Sequence, residues 1–166
     1  MDVTPNALNT GHPVAIAQRI QRRVAELGVT CSIGVGSTKA VAKIASDQDK
    51  PRGITVVYPG TERTFMAPLP VRDLSGIGPA AEAQLKARGI KTLGELAQAS
   101  PAVLQRIFGI RADEMRARAL GADTADVQQD DAVKSVSHEV TFADDLTGEE
   151  EILASLFSIS TMVGRR

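Results

Sequence analysis

The chain has 166 residues, of which 43% are hydrophobic and only 3% aromatic, and its formal net charge is -1. That length suits one ordinary domain or two small ones with aliphatic cores, and a single cysteine, Cys31, excludes an internal disulfide framework and fits a reducing, cytoplasmic setting. The opening MDVTPNALNTGHPVAIAQRI has no basic stretch followed by an apolar run, so no secretory leader is expected, and no apolar stretch approaches the roughly 20 residues of a membrane span.

In chain order, Val14 to Leu27 predicts an amphipathic helix with Ile16, Ile20, Val24 and Leu27 at helical spacing and Gly28 as its stop. VTCSIGVG, Val29 to Gly36, predicts a short buried strand, with Cys31 as a packed thiol. STKAVAKIASDQDK then predicts a helix capped by Ser37 or Thr38, broken by PRG, and ITVVYPG a second strand. Helix, strand, helix, strand is an α/β unit. From Leu69 to Gly121 no good strand is found. Helices are expected at Pro79–Arg88, at Thr92–Gln98, after Ser100-Pro101, and at Ala112–Leu120. ADTADVQQDDA is polar and acidic and reads as a linker, KSVSHEVTF alternates like a strand, and GEEEILASLFSISTMVGRR predicts a last helix.

The near-zero net charge hides an uneven distribution. Residues 1–69 carry 8 basic and 5 acidic side chains, residues 70–121 again 8 and 5, and residues 122–151 only 1 against 10. The first two thirds are therefore mildly basic. The acidic stretch needs no reading beyond a solvated linker and loop.

The densest signal is LSGIGPAAEAQLKARGI, Leu74 to Ile90. It sets Gly76 and Gly78 at the mouth of a helix that begins with Pro79. A helix N-terminus leaves backbone N–H groups without partners and carries positive partial charge, and a phosphate satisfies both. Glycines let the backbone come close and take positive φ. Ile77 between them can plug into a core shared with Leu85, Ile90, Leu93 and Leu96, while Lys86, Arg88 and Lys91 supply charge. Such a turn grips nucleic-acid backbone without reading bases. The plainer reading is a glycine-tightened turn with no ligand. Elsewhere, Lys50 precedes the Pro51-Arg52-Gly53 turn, where a fixed ammonium can meet a phosphate; on its own the better reading is an exposed lysine at a helix end, where cations are favoured anyway. His12, His138 and Cys31 lie too far apart in sequence for a metal site.

Three stretches in order, SIGVGSTKAVAKIASDQDKPRG, FMAPLPVRDLSGIGPAAEAQLKARGIKTLGELA and KSVSHEVTF, resemble the Y-family DNA polymerases, nearest their DNA polymerase IV branch, and the likeness covers most of the chain. The resemblance implies an α+β fold. Residues 1–68 would be the end of the palm, an α/β unit. Residues 69–121 would be the thumb, a small all-α domain with a helix-hairpin-helix motif. Residues 122–132 would be an acidic linker, and 133–166 the β-α start of a little finger. It further implies that Lys50 contacts the triphosphate of the incoming nucleotide. Gly76, Ile77, Gly78 and Lys86 would lie on DNA backbone, as would Lys134, Ser135 and Ser137 on the little-finger strand.

Family enzymes are DNA-directed DNA polymerases that bypass damaged template bases, using Mg2+ held by palm carboxylates. Those carboxylates find no match here: Asp2 corresponds to a later, non-ligand aspartate, and Asp47 and Asp49 match no metal position. The chain is thus expected to be an internal portion of such an enzyme, binding the primer–template duplex but inactive and free of Mg2+ on its own. The hairpin can also hold a monovalent cation through its carbonyls. The nucleotide and a sliding clamp are partners expected of the intact enzyme; a membrane is not. Two alternatives are a free-standing helix-hairpin-helix accessory module and a protein-interaction domain in which the hairpin is a mere turn.

Overall fold

A computed structural model of the protein describes residues 1–4, 11–123, 126–127 and 135–165. It divides into two compact units, Met1–Val127 and Gln128–Arg166.

The first unit begins with helix α1, Pro13–Glu26, one residue earlier than the apolar spacing suggests because Pro13 suits the first helical position. His12 caps it: its Nδ1 accepts the Val14 N–H at 3.3 Å, so this histidine has a structural partner that the sequence did not reveal. Ile16 and Ala17 are buried, whereas Leu27, expected on the apolar face, is 79% exposed beyond the last turn. Gly28 follows at φ +77.

Strands β1, Ile33–Val35, and β2, Ile54–Val56, form a two-stranded parallel sheet with Ile33 opposite Ile54. Both are shorter than the apolar runs that contain them, since a strand extends only as far as its partner. Cys31 consequently falls outside β1 and is half-buried, not packed in a strand. Helix α2, Lys39–Gln48, makes the crossover, capped by Thr38, whose Oγ1 accepts from Val41 N–H at 3.3 Å. It presses close to β1. A Cβ on Gly34 would lie 2.0 Å from the Ala42 carbonyl oxygen, so only glycine fits there. Gln21 of α1 donates to the carbonyls of Cys31 and Arg52, at 3.1 and 2.6 Å, which ties α1 to the ends of the sheet.

A short helix α3, Glu62–Met66, follows; sequence reading passed over it because five residues are too few to show a period. A 3-10 turn at Val71–Asp73 leads into helices α4, Pro79–Lys86, α5, Leu93–Gln98, α6, Pro101–Phe108, and α7, Ala112–Ala119, the last preceded by a 3-10 turn at Gly109–Arg111. Among the described residues of 69–121 the only strand-like pairing is a single bridge between Pro70 and Thr92. Caps explain the helix starts. Ser100 Oγ accepts from Val103 N–H, and Thr92 and Glu95 form a reciprocal capping box. Leu85, Leu93 and Leu96 are fully buried and Ile90 nearly so, as their spacing predicts. Each such side chain contributes about 1.5–3 kcal/mol by leaving water. One core runs from Val41 and Ile44 of α2 through Met66 and Leu74 to Leu104 and Met115, so the sheet layer and the helices share a single apolar interior.

In the second unit, helix α8, Glu149–Gly164, starts with Glu149, Glu150 and Glu151, which favour the positive end of its dipole. Leu153, Leu156, Phe157 and Met162 are exposed, while Ile159 is half-buried. Among the described residues the expected strand does not form: residues 135–142 are assigned no strand, and Val136, Val140 and Phe142 of the alternating pattern are exposed. Alternation marks a segment suited to a sheet face, but a strand exists only where a second one pairs with it. Lys134 lies outside the described residues.

Candidate nucleic-acid interface

Two buried anchors shape the turn ahead of α4. Leu74 is 1% and Ile77 8% exposed, while Ser75, Gly76 and Gly78 face outward. The Leu74 N–H donates to the Val71 carbonyl at 3.2 Å, and the Ile77 N–H to the Leu74 carbonyl at 3.1 Å, closing the hairpin. The two glycines are there for different reasons. Gly76 sits at φ +98, a conformation that side chains other than glycine rarely take. Gly78 does not share that requirement: at φ -85, ψ 177 it is ordinary extended backbone, and a Cβ there would meet nothing within 4 Å. Nothing within the fold demands a glycine at 78, so the expectation of positive φ holds at Gly76 alone.

Gly78 is the N-cap of α4 and brings no side chain to its first turn, unlike Thr38, Thr92 and Ser100 at the other well-capped helices. Pro79 has no N–H to satisfy. The helix therefore presents its positive end, with backbone donors, beside an exposed and sterically open residue.

Three lysines of this region, Lys86, Lys50 and Lys43, are each paired with a carboxylate. Lys86 Nζ lies 2.6 Å from Glu82 Oε1. Lys50 Nζ lies 2.6 Å from Asp47 Oδ1, and Lys43 Nζ 2.5 Å from Asp47 Oδ2. Hydrogen bonds from Lys43 and then Lys50 hold the Asp47 carboxyl below its ordinary value. All three lysines are more than half exposed, and such pairs contribute about 0–1 kcal/mol each, so an incoming anion can replace the carboxylate.

An open cleft of about 510 Å3 joins these parts. Lys43, Asp47 and Lys50 line one side, and Arg72, Gly76 and Ile77 the other. The structure thus brings Gly76, Ile77 and Lys50 to one cleft, with Gly78 just past its lining residues. Lys86 is on α4 outside it. Ser135 and Ser137 are exposed residues of the second unit. No group of three or more His, Cys, Asp or Glu side chains gathers as a metal site among the described residues. Hydrogen bonds from the Thr4 side chain and then from the Thr4 N–H, the latter at 2.8 Å, lower the pKa of Asp2. Sequence reading missed Arg111, which reaches the hairpin from the α6–α7 turn. The glycine of that turn, Gly109, was the available signal.

Residues 1–47 match the impB/mucB/samB family, and residues 72–115 match the thumb domain of DNA polymerase iota. The chain is 40% identical to a DNA polymerase IV of Moorella thermoacetica over 94% of its own length, covering 40% of that protein. It is 46% identical to a DNA polymerase IV of Halobacterium salinarum over 76% of its length, covering 30% of that one. It spans well under half the length of these relatives. A Y-family DNA polymerase chimera superposes with a TM-score of 0.77 at 24% identity, over 92% of this chain and 45% of the chimera, which shows the shared fold. Over the stretch that it spans, these matches support a portion of a Y-family, DinB-like DNA polymerase.

Proposed function

We propose that the chain is the DNA-binding portion of a translesion DNA polymerase. Its hairpin grips the phosphate backbone of a primer–template duplex. The observation that carries this reading is the Gly78 position: an exposed residue with no internal reason to be glycine, at the uncapped positive end of α4, anchored by buried Leu74 and Ile77. A phosphate oxygen needs that open approach, and side chains at 78 would block it. In this reading residues 1–68 are the end of the palm, 69–121 the thumb, 122–132 a linker and 133–166 the start of the little finger. Lys50 leaves Asp47 for the triphosphate of an incoming nucleotide in the intact enzyme. Lys86, and Lys134, Ser135 and Ser137 of the little finger, add contacts along the backbone. A monovalent cation on the hairpin carbonyls would reinforce the grip.

DNA is the partner proposed for this chain; the nucleotide and a sliding clamp are partners proposed for the intact cytoplasmic enzyme. Nucleotide transfer there uses divalent metal, which positions and neutralises the reacting phosphates when bound. The residues described here do not fit such a centre. Asp47 is held by two lysines, and no acidic cluster forms. In this reading the chain by itself binds DNA, and nucleotide transfer belongs to the intact enzyme. Relatives that match palm and thumb in one colinear stretch favour this over a free-standing accessory module.

Fluorescence anisotropy with a labelled primer–template duplex, across a salt series, tests the reading. Wild type is expected to bind weakly at low salt, without sequence preference, and to lose affinity steeply as salt rises. Gly78→Val is expected to bind at least about tenfold more weakly while melting as wild type does. Equal binding by the two, or no binding by wild type, overturns the proposal.

A further inference from the structure

The hairpin has a neighbour from farther along the chain. Between α6 and α7 the backbone turns through Gly109, at φ +58, and Arg111 leaves this turn toward the first hairpin. A Cβ on Gly76 would lie 3.2 Å from Arg111 Nη2. The guanidinium is half exposed. It rests on the sulfur of the fully buried Met115, at 3.8 Å, and donates through Nε and Nη2 to the Glu114 carboxylate at 3.2 and 3.5 Å. Glu114 is equally exposed, and it also takes Arg118 Nη1 at 3.5 Å.

Three consequences follow from that geometry. The buried thioether fixes where the guanidinium sits, so little side-chain freedom is lost when it takes a ligand. The exposed pair with Glu114 contributes little and exchanges readily. A phosphodiester offers the guanidinium fork two oxygens, a match that a point charge does not make.

We propose that Arg111 is a phosphate ligand of the hairpin, held by Glu114 while the hairpin is empty and transferred to a backbone phosphodiester of DNA lying across Gly76 and Gly78. Glu114 acts as an internal competitor: it keeps the cation placed and weakens binding at the same time. This inference rests on the hairpin reading above, and its test separates the two.

The test uses the full chain and the same labelled duplex. Arg111→Gln is expected to weaken binding about three- to tenfold at low salt and to reduce the slope of log K against log salt by about 0.9, the signature of one lost phosphate contact. Arg111→Lys is expected to keep the slope and lose part of the affinity. Glu114→Gln is expected to tighten binding about twofold or more, since the amide oxygen still accepts from Arg118 while the competing charge is gone. If Gly78→Val loses binding but Arg111→Gln matches wild type in affinity and slope, the role of Arg111 falls and the hairpin reading stands. If Gly78→Val binds as wild type does, both fall. Should Arg111→Gln melt early by circular dichroism, Glu114→Gln decides, and a failure to tighten overturns the inference.

Discussion

Gly76 and Gly78 separate two demands that a glycine can meet. At Gly76 the backbone itself requires it, so Gly76→Ala is expected to lower unfolding free energy by about 1–2 kcal/mol in a denaturant titration. Gly78→Ala is expected to cost less, about 0.5 kcal/mol, since its backbone suits any residue and only the N-cap preference for glycine is lost. The reverse order would mean that the turn adopts another conformation in solution. The spacing of Gly-Ile-Gly before Pro79 was readable, because local chemistry carries it. Which glycine needs positive φ was not, since that depends on how Leu74 and Ile77 seat in a core built from distant helices. Arg111 was hidden for the same reason: it lies far along the chain from Gly76 and meets it only after folding.

Helix starts show the same division among elements. The helix starts at Thr92 and at Ser100-Pro101 were legible because a cap is a contact between residues three apart; at Thr92 it is a full box with Glu95. In the box, Glu95 Oε2 accepts the N–H of Lys91 at 2.7 Å and of Thr92 at 2.9 Å, which lowers its pKa from the ordinary 4.5. A carboxyl whose folded pKa is depressed stabilises above its unfolded value and loses that contribution as pH falls through the folded one. Melting temperature is therefore expected to fall as pH drops below about 4.5, and Glu95→Gln is expected to flatten part of that fall. An unchanged acid profile in the variant would remove the box from the account. The segment 134–142 went the other way. Its alternation is real, but a strand is a property of two segments, and one segment's sequence shows only half of it.

Across the whole molecule, the buried side chains among the described residues lie between Ile16 and Ala119, all within the first unit. Charge divides in a similar place, with the basic excess before residue 122 and the acidic excess after it. That arrangement fits a DNA grip built on residues 1–121. No helix among the described residues is long and apolar enough to cross a membrane. The central claim is that DNA backbone sits on the turn before α4. The measurement that tests it most directly is an amide NMR titration of the isotope-labelled chain with a primer–template duplex. The account expects the largest shifts at Ser75 to Ala81, with Arg111 and Lys50 close behind and Leu153 to Met162 unmoved. Shifts confined to residues outside the hairpin, or none at duplex concentrations that saturate the anisotropy signal, would contradict it.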